Sequence, residues 1–273
     1  MTIMAPKKDL RVAQVNGQTR FEKVTGVKTP LDFLELPKEK RDEVYRYYLV
    51  KVRDIYIESS EDSETDTDSD DEPQVDEGAL LLRTSFMGDD EVGMRLIEEA
   101  YEIYYGENTF RVRHPSFSDF LYIDTHRDFK GEISNMLRRV VLEVCTDYAM
   151  VLTPAEEDET YEGESDMRIE LMTLTHIRQA DSVIIEVLGD GMLDGSDGKT
   201  QTTLLQIADP VKDIIEHFGD RFTIKRVHLP TRLSINIRHY WNQPSPEAIH
   251  RVRGGFAPFE DLMQVQIQNL TER

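Results

Sequence analysis

The stretch SVIIEVLGDGMLDGSDGKTQTTLL, from Ser182 to Leu205, has the strand, glycine-rich turn and helix order on which phosphate-binding loops are built. Its spacing argues against that chemistry. A Walker loop needs glycine five positions before Gly198, where Leu193 stands, and Asp190, Asp194 and Asp197 would repel a polyphosphate. The same aspartates follow an EF-hand only in part. Asp190, Asp194 and Gly195 match its first, fifth and sixth positions, but Met192 stands at the third and Gln201 replaces the bidentate glutamate. The segment therefore reads as an exposed strand-to-helix turn, with no nucleotide and no metal expected.

Other chemistry-bearing residues are equally dispersed. The histidines at 114, 126, 176, 217, 228, 239 and 250 show no H-E-x-x-H or other ligand spacing, and there is no G-x-S-x-G elbow. Cys145 closes the apolar run RRVVLEVC, the setting of a buried inert thiol. No catalytic residue, cofactor or small-molecule substrate is assigned, and the chain is read as a non-enzyme. From Arg221 to Arg253 there are seven Lys or Arg and one acid, Glu247, with Tyr240 and Trp241 among them. Such a basic aromatic patch can hold nucleic acid, which makes nucleic-acid binding the alternative function; acidic loops elsewhere in the chain would compete with phosphates for it, so nucleic acid is the disfavoured partner. Ser59, Ser63, Thr65, Thr67 and Ser69 each have Asp or Glu three residues downstream, the pattern that acidophilic kinases of the casein kinase II type accept. They are candidate phosphorylation sites, each able to add ~1.5 to 2 negative charges.

Charge is unevenly placed. The chain has 273 residues, 53 acidic and 32 basic, for a formal net charge of -21. Residues 58 to 77 hold eleven acids and no base, residues 156 to 166 hold seven and none, and without these eighteen the remaining 35 acids nearly balance the bases. The body is close to neutral. A single cysteine excludes a disulfide framework and any cysteine-based zinc or iron-sulfur site. The start MTIMAPKKDLRVAQ lacks the apolar core of a secretory leader, and even SVIIEVL contains Glu186, so neither secretion nor membrane spanning is expected. Cytoplasm or nucleus is the expected location.

The elements that must position these residues alternate in type. Residues 1–30 have no hydrophobic period and read as a loose arm. LDFLELPKEKRDEVYRYYLV predicts a short amphipathic helix entered at Pro37, with Val44, Tyr45, Tyr48 and Leu49 on its apolar side and Leu34 and Leu36 folding back on it. A strand over Val50, Val52, Ile55 and Ile57 should follow. Residues 58–78 are too charged to recover the entropy of ordering and read as a disordered insert. LLLRTSF resumes an apolar run, a helix from Asp89 or Asp90 should end at Gly106 as a left-handed cap, and Thr109 to Val112 should be a strand. A further helix is expected near Asp128 to Met136. Strands near Val141, Ile185 and Lys225, at ~40-residue spacing with helical text between, predict right-handed crossovers and at least partly parallel pairing. The fold class is α/β or α+β. The expected organisation is an arm at 1–30, a region at 31–152 interrupted by the insert, an acidic loop at 153–166 and a C-terminal α/β region at 167–273, packed with the first as one body.

Two blocks of text carry a family resemblance. FLELPKEKRDEVYRYYLV, with Leu36, Pro37, Glu39, Arg41, Val44, Tyr45 and Leu49, resembles the opening helix of fungal F-box-like proteins, whose text runs leucine, proline, any residue, glutamate, any residue, arginine. LLRT at Leu81 to Thr84 and EEAYEIYYGENTF at Glu98 to Phe110 resemble that family's following strand, helix and turn, and NMLRRVVLEV its next strand. The match covers about residues 31 to 145. The resemblance implies docking on the Skp1 adaptor of a cullin ubiquitin ligase, with the rest of the chain selecting a substrate. Leu34, Leu36, Pro37, Glu39 and Arg41 are the adaptor-binding candidates. A strand and the acidic insert stand where further F-box helices would come, so a second reading has the same helix as a core element of a fungal α/β domain without adaptor binding.

Overall fold

The computed structural model describes residues 20–57, 77–122, 132–146 and 163–272. They fall into two compact units, one of residues 20–50 and 77–104, the other of 51–57, 105–122, 132–146 and 163–272.

The first unit is helical. Its elements are α1 (Arg20–Thr25), α2 (Pro30–Glu35), α3 (Lys38–Leu49), α4 (Glu77–Leu80), α5 (Thr84–Met87) and α6 (Glu91–Glu107), the last continuing three residues past the division at Tyr104. Within the expected loose arm of 1–30, residues 20–25 form α1, which buries Phe21 and Val24; residues 1–19 lie outside the described residues. Phe21 packs against Phe33 and Phe86 with ring centroids 6.4 and 5.3 Å away, and Phe33 meets Tyr45 edge to face at 5.6 Å. Apolar side chains spaced too sparsely to show a period thus still form a core. Leu80, Leu81 and Leu82 are buried, but they lie in α4 and the turn after it rather than in a strand. A short apolar run does not distinguish the two by period. Asp90 caps α6 by accepting the Gly93 amide at 2.8 Å, as its text suggests. Gly106 lies inside that helix and outside the set of positive-φ glycines, so it is no left-handed cap.

The second unit is a six-stranded mixed sheet with helices, which makes the protein α/β. Its strands are β1 (Ile55–Ile57), β2 (Thr109–Arg113), β3 (Arg139–Cys145), β4 (Ser182–Gly189), β5 (Phe222–His228) and β6 (Ser234–Asn236). They lie in sequence order, parallel from β1 to β5, with β6 antiparallel at the edge. The parallel pairing of the segments around Val141, Ile185 and Lys225 is therefore as expected. β1 is only three residues long, and Val52, expected in it, is fully exposed outside it.

The remaining helices are α7 (Phe117–Tyr122), α8 (Ile133–Met136), α9 (Gly163–Thr173), α10 (Gly198–Gln206), α11 (Ala208–Phe218), α12 (Pro246–Gly254) and α13 (Phe259–Thr271). The helical text between β4 and β5 forms two helices, broken at Ile207, and Pro210 sits in the first turn of α11 where its missing N–H costs nothing. Register puts Phe110, Val140, Val183 and Phe222 in one row and Val112, Leu142, Ile185 and Ile224 in the next, all on one face and all buried. Phe120 of α7 stacks on Phe110 at 5.4 Å, and α11 packs on β5 and on α9. Strands that advance in one direction with right-handed crossovers place successive helices on the same face, which accounts for α9 meeting α11.

Candidate partner-binding corner

Residues 29 to 41 build a corner from local rules. Thr29 Oγ1 accepts the Asp32 amide at 3.2 Å and Asp32 Oδ2 accepts the Thr29 amide at 3.1 Å, a capping box that starts α2 with Pro30 at its first position. Leu36 leaves the helix in an extended conformation, which Pro37 after it enforces, and Pro37 is the N-cap of α3. On α2 the Phe33 side chain is fully buried. Leu31 is 55% exposed and shares a face with the half-buried Leu34 three residues on. Leu36 is half-buried, while Pro37 and Glu39 are exposed.

The buried stripe of α3 is Arg41, Tyr45 and Leu49, one residue every helical turn. Val44 and Tyr48, expected on the core side, are only half-buried. Arg41 departs furthest from its sequence assignment. It is 4% exposed, and all three side-chain nitrogens donate inside the unit. Nε donates to Glu99 Oε2 at 2.7 Å and Nη2 to Glu99 Oε1 at 2.6 Å, while Nη1 donates to the carbonyls of Leu34, at 3.0 Å, and Leu36. Its guanidinium is thus closed off from a partner. The Glu99 bond holds it above the ordinary guanidinium range. Beside it, Tyr45 donates to the Leu96 carbonyl at 3.0 Å, and burial, then the Glu99 charge, pushes its phenol well above the ordinary range. The structure therefore leaves Leu34, Leu36, Pro37 and Glu39 at or near the surface and takes Arg41 inward.

The other sequence candidates lie in the second unit. At the 189–200 turn, Asp197 fills the N-terminus of α10 with its own carboxylate, which accepts the Thr200 amide at 2.9 Å and hydroxyl at 2.8 Å. A side chain at Gly191 would stand 2.2 Å from the Asp197 carboxyl carbon, so the loop closes tightly on that aspartate. Among the described residues the strands lie in sequence order from β1 to β6 with no reversal, the feature at which open sheets of this kind usually take ligands. Among the described residues no group of three His, Cys, Asp or Glu is placed to hold a metal, and no helix is long and apolar enough to cross a membrane.

Four of the seven basic residues in 221–253 are tied into the fold. Arg221 donates to the Ala180 carbonyl at 2.7 Å, Arg238 to that of Phe222 at 3.0 Å, and Arg251 to Asp261 at 2.6 Å. Arg226 is fully buried and donates to the carbonyls of Val187, Gly189 and Val227. Trp241 Nε1 is held by the Ala208 carbonyl at 2.9 Å.

Two clusters escaped sequence reasoning. Arg111 on β2 joins Asp54 and Glu143 at 3.0 Å each, and Glu186. The signal for it was present: RVVLEV and SVIIEV place Glu143 and Glu186 at equivalent positions, and they stand directly opposite in the β3–β4 register. The Arg41–Glu99 pair spans 58 positions and had no local signal. The five candidate phosphorylation sites, Ser59 to Ser69, lie outside the described residues. Comparison with known protein families, with curated proteins and with solved structures finds no match to this chain.

Proposed function

We propose that this chain is a non-enzymatic protein–protein interaction protein that docks through the α2–α3 corner, with an adaptor of the Skp1 type as the partner and substrate recruitment to a cullin ubiquitin ligase as the role. The observation that carries the reading is the contrast within α2 and the turn that follows it. Phe33 is fully buried and anchors the helix, yet Leu31 is left 55% exposed, followed by half-buried Leu34 and Leu36 and exposed Pro37. Apolar side chains clustered in sequence on a short, firmly anchored helix and the turn after it are suited to become a buried hot spot when a partner covers them. The partner's identity rests on the F-box-like text of residues 31 to 145.

A second reading is favoured by one observation, the burial of Arg41, which makes part of the signature a core element of a fungal α/β domain that binds no adaptor. Titration of the full chain with purified Skp1 adaptor by calorimetry separates the two. Micromolar or tighter binding, weakened roughly tenfold or more by Leu31→Ala with Leu34→Ala at unchanged melting temperature, supports docking. Absence of binding by the wild-type chain leaves only the core reading.

A further inference from the structure

We infer that Arg41 and Glu99 are positioning residues, a buried fork that sets the geometry of the α2–α3 corner and so of the surface through which the chain binds its partner; this rests on the docking reading above. The argument begins with the length of α2. Its six residues, Pro30–Glu35, are too few to be helical alone, and the carbonyls at its C-terminal end have no partner within the helix. Arg41 Nη1 donates to two carbonyls there, those of Leu34 and Leu36, and its positive charge lies where the helix dipole favours a cation.

Glu99, reaching across from α6, fixes the plane of the guanidinium by taking Nε and Nη2 together, at 2.7 and 2.6 Å. One edge of the fork thus serves a carboxylate and the other serves the corner's backbone. Lysine has no such two-edged geometry. A well-packed apolar pair could fill the space of many buried ion pairs at no loss of stability. Here it would leave the Leu34 and Leu36 carbonyls without donors, so the pair is tied to the corner rather than to the core in general. Leu34, Leu36 and Pro37 are carried on the backbone that Arg41 holds. The same contact joins the Leu-Pro-x-Glu-x-Arg block to the Glu-Glu-Ala block, 58 positions apart, into one device.

The test uses the full chain, with hydrogen–deuterium exchange of amides 31–40 and titration with purified Skp1 adaptor, both well below the melting temperature. Arg41→Lys keeps the charge and loses the fork. The expected result is a cooperative melt, corner amides exchanging roughly tenfold faster, and adaptor affinity lower by a similar factor. Leu31→Ala should lower affinity alone and leave exchange unchanged. Unchanged corner exchange in Arg41→Lys, or faster exchange with unchanged affinity, overturns the inference. Should Arg41→Lys fail to fold, Glu99→Gln, which keeps an oxygen acceptor in place, is read by the same two measurements. Absence of wild-type adaptor binding would defeat the docking reading separately. Exchange at the corner then decides the positioning role alone, with acceleration supporting it and no change overturning it.

Discussion

At the scale of single residues, two buried carboxylates bond the chain in ways that differ in their dependence on charge. Glu99 neutralises a guanidinium, so Glu99→Ala leaves Arg41 charged and unpaired at 4% exposure. The expected cost is ~3 to 5 kcal/mol, with Glu99→Gln clearly milder because an acceptor remains; urea unfolding midpoints check the order. Among the described residues, Glu170 on α9 bonds no such cation. Its carboxylate accepts the Phe117 amide at 2.9 Å and the Ser118 amide at the start of α7, and burial raises its pKa against the lowering effect of those bonds. The folded protein therefore holds this proton more tightly than the unfolded chain, whose glutamates titrate near ~4.3. The contribution is fully present below the unfolded value and is lost as pH rises through the folded one. Relative to Glu170→Gln, the wild type should lose unfolding free energy with rising pH across that window. A wild-type-minus-variant difference that is flat or grows with pH would contradict this sign.

At the scale of elements, the turn from β4 to α10 shows how one residue can fix a loop by two means. Asp197 caps α10 through Thr200, and its Oδ2 lies 3.9 Å from Nη2 of the buried Arg226. The two roles are separable. Asp197→Asn keeps an acceptor for the Thr200 amide and loses the charge, whereas Asp197→Ala loses both. We predict that Asn costs less than Ala, and that Ala exceeds the ~1 kcal/mol typical of a lost cap because the buried Arg226 also loses the Asp197 charge and keeps only the weaker influence of Asp190. Equal midpoints for the two variants in urea would mean that the cap contributes nothing. Gly191 belongs to the same closure, since any side chain there meets the Asp197 carboxyl.

At the scale of the whole molecule, the uneven charge is the dominant fact: the chain is at -21, yet eighteen of its acids sit in two short stretches. The first of these follows β1, which ends at Ile57, and its last acid, Glu77, opens α4, so the insert expected over 58–78 stops short of that helix. Its composition predicts that it does not contribute to folding. Replacement of residues 58–76 by a Gly/Ser linker should leave one cooperative thermal transition at a melting temperature close to that of the full chain, and its loss by calorimetry would refute this. Loop closure supports the expectation, because the cost of connecting two ordered ends grows only slowly with loop length.

What the sequence by itself determined were the features that depend on near neighbours. The parallel strands around Val141, Ile185 and Lys225, the Asp90 cap of α6 and the entry of α3 at Pro37 follow from periodicity, capping chemistry and the fixed φ of proline, each complete within a few residues. Tertiary structure alone decided the rest. LLLRTSF is equally apolar as strand or helix, and only its surroundings made it helix and turn. Phe21 and Val24 looked like an unpatterned arm until Phe33 and Phe86 supplied the rings that cover Phe21. Arg41 looked like a surface residue of a docking motif because charged side chains usually are. Its burial depends on Glu99, and a pair 58 positions apart leaves no local trace, since the desolvation of a charge is decided by what folds against it.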